Sequence, residues 1–222
     1  MASRLKVLSL LGSLTLLEVI TVTAFAGTKE ASTGSLTLSV FNNASVPATV
    51  LVQAEEKAGG ILAQARIQVK WLNCGTGGPL IPDQFELPSP CSSIIYPSHL
   101  SVRIALTGNS LREDVFGEAF ANRYGEGTHL NVYYAHIAES DAHKLLAEGE
   151  LLGYVIAHEV GHLLLGTTSH GREGIMQCRW EEVQLRNAAK GNLQFTPRQA
   201  FAMRECLSGM IRARAHRRSV GE

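Results

Sequence analysis

The sequence predicts an α+β domain: a mixed, mostly parallel four-stranded sheet, one buried helix and a small helical C-terminal part. Three observations predict it. Period-two alternation of apolar and polar residues recurs in four segments, at 35–42, 66–73, 99–108 and 128–138. A stretch at helical spacing separates the first two segments, so they read as parallel neighbours joined by a crossover. From about Asp141 the pattern turns helical and includes the run "LLGYVIAHEVGHLLLG", apolar nearly all round, as a central helix is.

The elements follow in order. Arg4 and Lys6 precede an apolar run from Val7 to about Phe25, closed by Ala24-Phe25-Ala26. A positive start, an apolar middle and an A-x-A end describe a signal peptide over 1–26, removed on export to the periplasm or the exterior. No stable membrane insertion is expected after cleavage. One domain over 27–222 remains, with an upper part at 35–166 and a lower part at 167–222. "SLTLSVFN" is the first strand, and Pro47 opens a helix through "PATVLVQAEEKAGGILAQA", weakened in its centre by Gly59-Gly60. "RIQVKWLN" returns to period two. "HLSVRIALTG" and "THLNVYYAHIA" are the third and fourth strands, separated by the glycine-punctuated "GNSLREDVFGEAFANRYGEG". A short helix is expected from Trp180 to Lys190. The last helix starts with Thr196 as N-cap and Pro197 in its first turn.

The chain has 222 residues, 45% of them hydrophobic, and a formal net charge of zero. It can bury a substantial core, and it lacks the basic field of a nucleic-acid binder. The cysteines are Cys74, Cys91, Cys178 and Cys206. An even number in an exported chain suggests disulfides, and nearest-neighbour pairing gives Cys74–Cys91 and Cys178–Cys206. The absence of a C-x-x-C pair argues against a cysteine zinc site.

The chemistry concentrates at 158–176. His158 and His162 stand one turn apart on one helical face, so both imidazoles can reach a single ion. Glu159, rotated about 100° from them, lies beside such an ion and could take a proton from water there. Unpartnered, each of these groups would cost about 1–3 kcal/mol in a buried helix. Gly166 suits a left-handed helix end. From there the chain to His170 can span at most about 14 Å, far enough to fold back onto the ion as a third ligand.

With these residues the segment resembles the metzincin clan of zinc metallopeptidases, in a short matrixin-like or archaemetzincin-like layout. The resemblance implies a metzincin-like fold and Zn2+ held by His158, His162 and His170. It also implies Glu159 as general base and Gly174-Ile175-Met176 as a methionine turn beneath the metal, with Met176 as its methionine. The gaps on either side of Gly166 are each one residue longer than in the clan. A glutamate from a later helix, Glu182 or its neighbour Glu181, is therefore an alternative third ligand, and Cys178 another. The strand before the active helix would be the sheet edge that pairs with extended peptide, which points to "THLNVYYAHIA". The expected activity is a secreted zinc endopeptidase acting on peptides or proteins. The rivals are an exported binding domain with a structural zinc and a metal-free inhibitor or adhesin. The sequence leaves the oligomeric state open.

Overall fold

The computed structural model describes residues 34–75, 89–92, 94–108 and 115–219. The expected signal peptide lies outside them. Strand β1 (Gly34–Asn42) leads through helix α1 (Ala48–Gln64) to β2 (Ile67–Asn73), and a short helix α2 (Ser89–Ser92) precedes β3 (His99–Ala105). Strands β4 (Gly117–Phe120) and β5 (His129–Tyr133) follow, then the short α3 (Tyr134–Ala138) and a 3-10 turn at Asp141–Lys144. Helix α4 (Glu148–Leu165) comes next, then a 3-10 turn at Gly174–Met176, α5 (Glu182–Ala189) and α6 (Pro197–Ser219). The sheet has five strands in the order β2-β1-β3-β5-β4, all parallel except β4, which runs antiparallel to β5. Among the described residues, no helix is long and apolar enough to cross a membrane.

Alternation places Leu36, Leu38 and Val40 of β1 in the core, and the same logic buries Leu100, Val102 and Ile104 of β3. Helices α1 and α4 cover this face. They approach closely because α4 puts glycine at the contact: a Cβ on Gly153 would lie 2.6 Å from the Ala54 carbonyl oxygen, and one on Gly149 2.7 Å from that of Val50. The glycine pair in α1 leaves that helix unbroken. Packing against α4 outweighs the backbone entropy that two glycines cost.

Four expectations change. The sheet has a fifth strand, β4, inside the stretch read as a connection; at four residues it is too short to show a period. "THLNVYYAHIA" is a strand only to Tyr133, and it is flanked on both sides, so the free edge belongs to β4 and not to it. The disulfide Cys74–Cys91 is formed, with Cα atoms 5.9 Å apart. Cys178 and Cys206 are both free: Cys178 is exposed, and the Cys206 sulfur lies 3.4 Å from the Tyr96 hydroxyl instead. Trp180 also precedes α5 and is not part of it.

Candidate metal centre

Helix α4 is buried along almost its whole length, which is why its sequence shows no polar face. His158, Glu159 and His162 are 7%, 6% and 7% exposed. The helix ends at Gly166 in the left-handed conformation (φ 63°), with its N–H on the His162 carbonyl.

Each imidazole is oriented through its Nδ1. His158 Nδ1–H donates to the Ile175 carbonyl and His162 Nδ1–H to that of Thr167, both at 2.8 Å. A carbonyl only accepts, so the proton of each neutral ring sits on Nδ1 and each Nε2 carries a bare lone pair. The two Nε2 atoms face each other at 3.1 Å. Neither ring relieves this by taking a second proton readily: burial, then the neighbouring His162, hold His158 down at about 3, and burial lowers His162 as well. Two lone pairs at this distance call for a cation between them. Two nitrogens about 2.05 Å from a tetrahedral zinc stand about 3.3 Å apart, so the spacing fits.

His170 completes the group. Its ring centroid is 5.3 Å from that of His158 and 4.8 Å from that of His162, and the three candidate ligand atoms lie within 4.8 Å of one another. The lengthened loop closes because the Gly171 N–H donates to the Met176 carbonyl at 2.7 Å, which ties the residue after His170 to the turn below. Glu182 stands outside this group: its carboxylate pairs with Arg186 one helical turn on, and both side chains are more than half exposed. Glu181 and Cys178 border the cleft in front of the histidines but do not join the cluster.

The turn Gly174–Met176 supports the histidines from beneath. Gly174 has φ 69°, and a Cβ there would lie 2.4 Å from the Gln194 carbonyl oxygen, to which the Ile175 N–H donates. The Ile175 carbonyl then receives both His158 and, at 3.1 Å, the Trp180 indole N–H. Met176 is buried against α4 where Gly161 gives it room: a Cβ on Gly161 would sit 2.5 Å from the Met176 sulfur and 2.7 Å from the Phe195 ring. Gly161→Val is therefore expected to destabilise the protein by about 1–3 kcal/mol through overpacking, seen as a lower denaturant midpoint. An unchanged midpoint would show that this contact is slack.

Glu159 lies beside the histidine group. Its Cγ is the first atom a Cβ on Gly117 would meet, at 2.8 Å, so only glycine lets β4 pass this close. The Ala119 amide, also on β4, holds the carboxylate by a hydrogen bond. A cleft of about 460 Å³ opens here, with Val115, Phe116 and Gly117 on one wall and His170, Cys178 and Trp180 on the other. Sequence reading missed β4 and the Thr167 and Ile175 carbonyls as parts of the site. "FGEAF" is too short to signal the first, and a backbone carbonyl leaves no signal for the others.

Without metal, burial and then the Glu118 carboxylate push Glu159 up from 4.5 to about 8. The folded state then holds a proton that the unfolded chain releases above about 4.5, so this group removes stability as pH rises towards 8. His158, lowered from 6.5 to about 3, removes stability as pH falls through that window. Metal-free Glu159→Gln protein is expected to exceed the metal-free parent in urea midpoint at pH 8 and to match it at pH 4. A gain of equal size at both values would contradict this.

No family model and no curated protein matches the chain. Among solved structures, archaemetzincin from Methanopyrus kandleri superposes with a TM-score of 0.51 and 14% identity, over 81% of this chain and 98% of that one. A zinc-dependent peptidase from Methanocorpusculum labreanum gives 0.49 and 14%, over 75% and 99%. Archaemetzincin from Archaeoglobus fulgidus gives 0.45 and 15%, over 76% and 99%. The likeness to the M. kandleri protein shows a shared fold: this chain has a metzincin-like architecture, as its histidine motif implies.

Proposed function

We propose that this protein is an exported zinc-dependent endopeptidase. The observation that carries the reading is the pair of buried Nε2 lone pairs facing each other at 3.1 Å, with a third histidine closing the group. His158, His162 and His170 would hold the metal. Three neutral imidazoles are a ligand set suited to zinc that leaves one position open. When bound, zinc supplies a Lewis acid that polarises a peptide carbonyl and makes a coordinated water acidic near neutral pH.

The chain's own residues do the rest. The Ile175 and Thr167 carbonyls fix the imidazoles, and hydrogen bonds of this kind also raise ligand basicity. Glu159, held by the Ala119 amide at the cleft, is placed to take a proton from the attacking water and return it to the leaving amine. Its burial supports this, because a carboxyl raised towards neutrality can both accept and give a proton at working pH. Met176 packs under the helix turn that carries both ligands. The free edge of β4 runs along the cleft and offers backbone groups to which an extended peptide can add as a strand. The apolar leader and the Cys74–Cys91 disulfide support export.

The test is metal content with turnover. Purified protein is expected to carry one equivalent of zinc, to hydrolyse unstructured peptides, and to lose and regain that activity on chelation and zinc return. Protein that binds zinc but cleaves no peptide would instead be an exported domain with a structural metal.

A further inference from the structure

We propose that Glu118 makes this site prefer a lysine or arginine at the substrate residue lying across from it on the free edge of β4. The proposal rests on the peptidase reading above. The Tyr133 N–H donates to the Phe116 carbonyl at 2.8 Å. Hydrogen-bonded pairs alternate along an antiparallel ladder, so Glu118–Asn131 and Phe120–His129 also exchange hydrogen bonds. Those residues spend their backbone groups on β5. Gly117 and Ala119 turn theirs to the outer edge, in keeping with the Ala119 amide reaching Glu159.

A peptide adding antiparallel there bonds to Gly117 and to the carbonyl of Ala119, whose amide is engaged by Glu159. The substrate residue between the two bonded positions faces Glu118 as a non-hydrogen-bonded pair, the kind whose side chains come closest. Gly117 backs onto Glu159 of α4, so Glu118, one residue on, points to the other face of the sheet, and the opposing substrate side chain shares that face.

What that side chain meets is a fixed negative charge. Glu118 is exposed, and one carboxylate oxygen accepts the Tyr133 hydroxyl at 3.1 Å. Tyr133 is buried, so it anchors the carboxylate in place. Among the described residues no ion pair involves Glu118. Arg123, the basic residue just beyond the strand, lies over the Tyr124 ring at 4.8 Å. Arg179 lines the same cleft and is engaged in an interaction of its own. A cation is therefore favoured across from Glu118 and an anion is repelled.

The test is a positional peptide library hydrolysed by the zinc-loaded parent, Glu118→Gln and Glu118→Lys. At one fixed distance from the scissile bond, the parent is expected to cleave lysine and arginine peptides about three- to tenfold faster in kcat/KM than aspartate and glutamate peptides. Glu118→Gln should level this ratio and Glu118→Lys should invert it. Ratios within one protein cancel differences in folding or zinc loading. A parent ratio near one at every position, or a ratio that survives Glu118→Lys, overturns the proposal. If the parent cleaves nothing, the peptidase reading fails, and fluorescence-anisotropy binding of the same peptides decides this one. A basic preference that Glu118→Lys inverts would keep Glu118 as a recognition residue; equal binding would overturn it.

Discussion

Glu159→Gln is expected to lower peptide hydrolysis by about 10²–10⁴-fold while zinc stoichiometry stays that of the parent. The glutamine side chain keeps the shape that Gly117 leaves room for, and its carbonyl oxygen can still accept the Ala119 amide. What it loses is the ability to hold a proton between the attacking water and the departing amine. None of the candidate metal ligands is touched, so loss of zinc is not an available explanation for loss of rate. Steady-state kcat with elemental analysis on one preparation separates the two. Parent-like turnover in this variant would remove Glu159 from the reaction.

His170→Ala is expected to weaken zinc binding by more than about 100-fold, since changes merely beside a metal ligand already cost 10–100-fold. It should change metal-free stability little, because the His170 side chain is exposed. Competition with a fluorescent zinc chelator measures the first, and urea unfolding of the metal-free proteins measures the second. This variant tests the lengthened loop directly. The loop that brings His170 to the cluster is tied to the turn below by the Gly171 N–H on the Met176 carbonyl. Parent-like affinity would mean that zinc takes its third ligand elsewhere. The same comparison with Glu182→Ala should show no change, since that carboxylate is occupied by Arg186 at the surface.

Much of the fold was legible because burial on one face leaves a period. Residues 35–42, 66–73 and 99–108 alternate in the sequence and hold the three strands β1, β2 and β3, the last of which ends at Ala105. The pattern failed where tertiary contact and not local periodicity made the element. Strand β4 exists because four residues with a glycine at their start can lie against Glu159 and pair with β5, and four residues hold too little alternation to be read. Missing it put the free edge on the wrong strand and left Glu118 without a role. The Cys178–Cys206 pairing failed similarly. Nearness in sequence says nothing of where α6 packs, and packing sets Cys206 beside Tyr96 while Cys178 borders the cleft.

By itself the sequence determined the pair of imidazoles and the carboxyl between them, because a spacing of four on a helix is a fact of local geometry. It also bounded His170, since chain length limits how far a loop can stray. Only the tertiary structure decided that His170 closes the cluster, that Ile175 and Thr167 leave both Nε2 lone pairs facing inward, and that β4 walls the cleft. Each of these depends on backbone atoms brought together by packing, and a backbone carbonyl has no letter in a sequence.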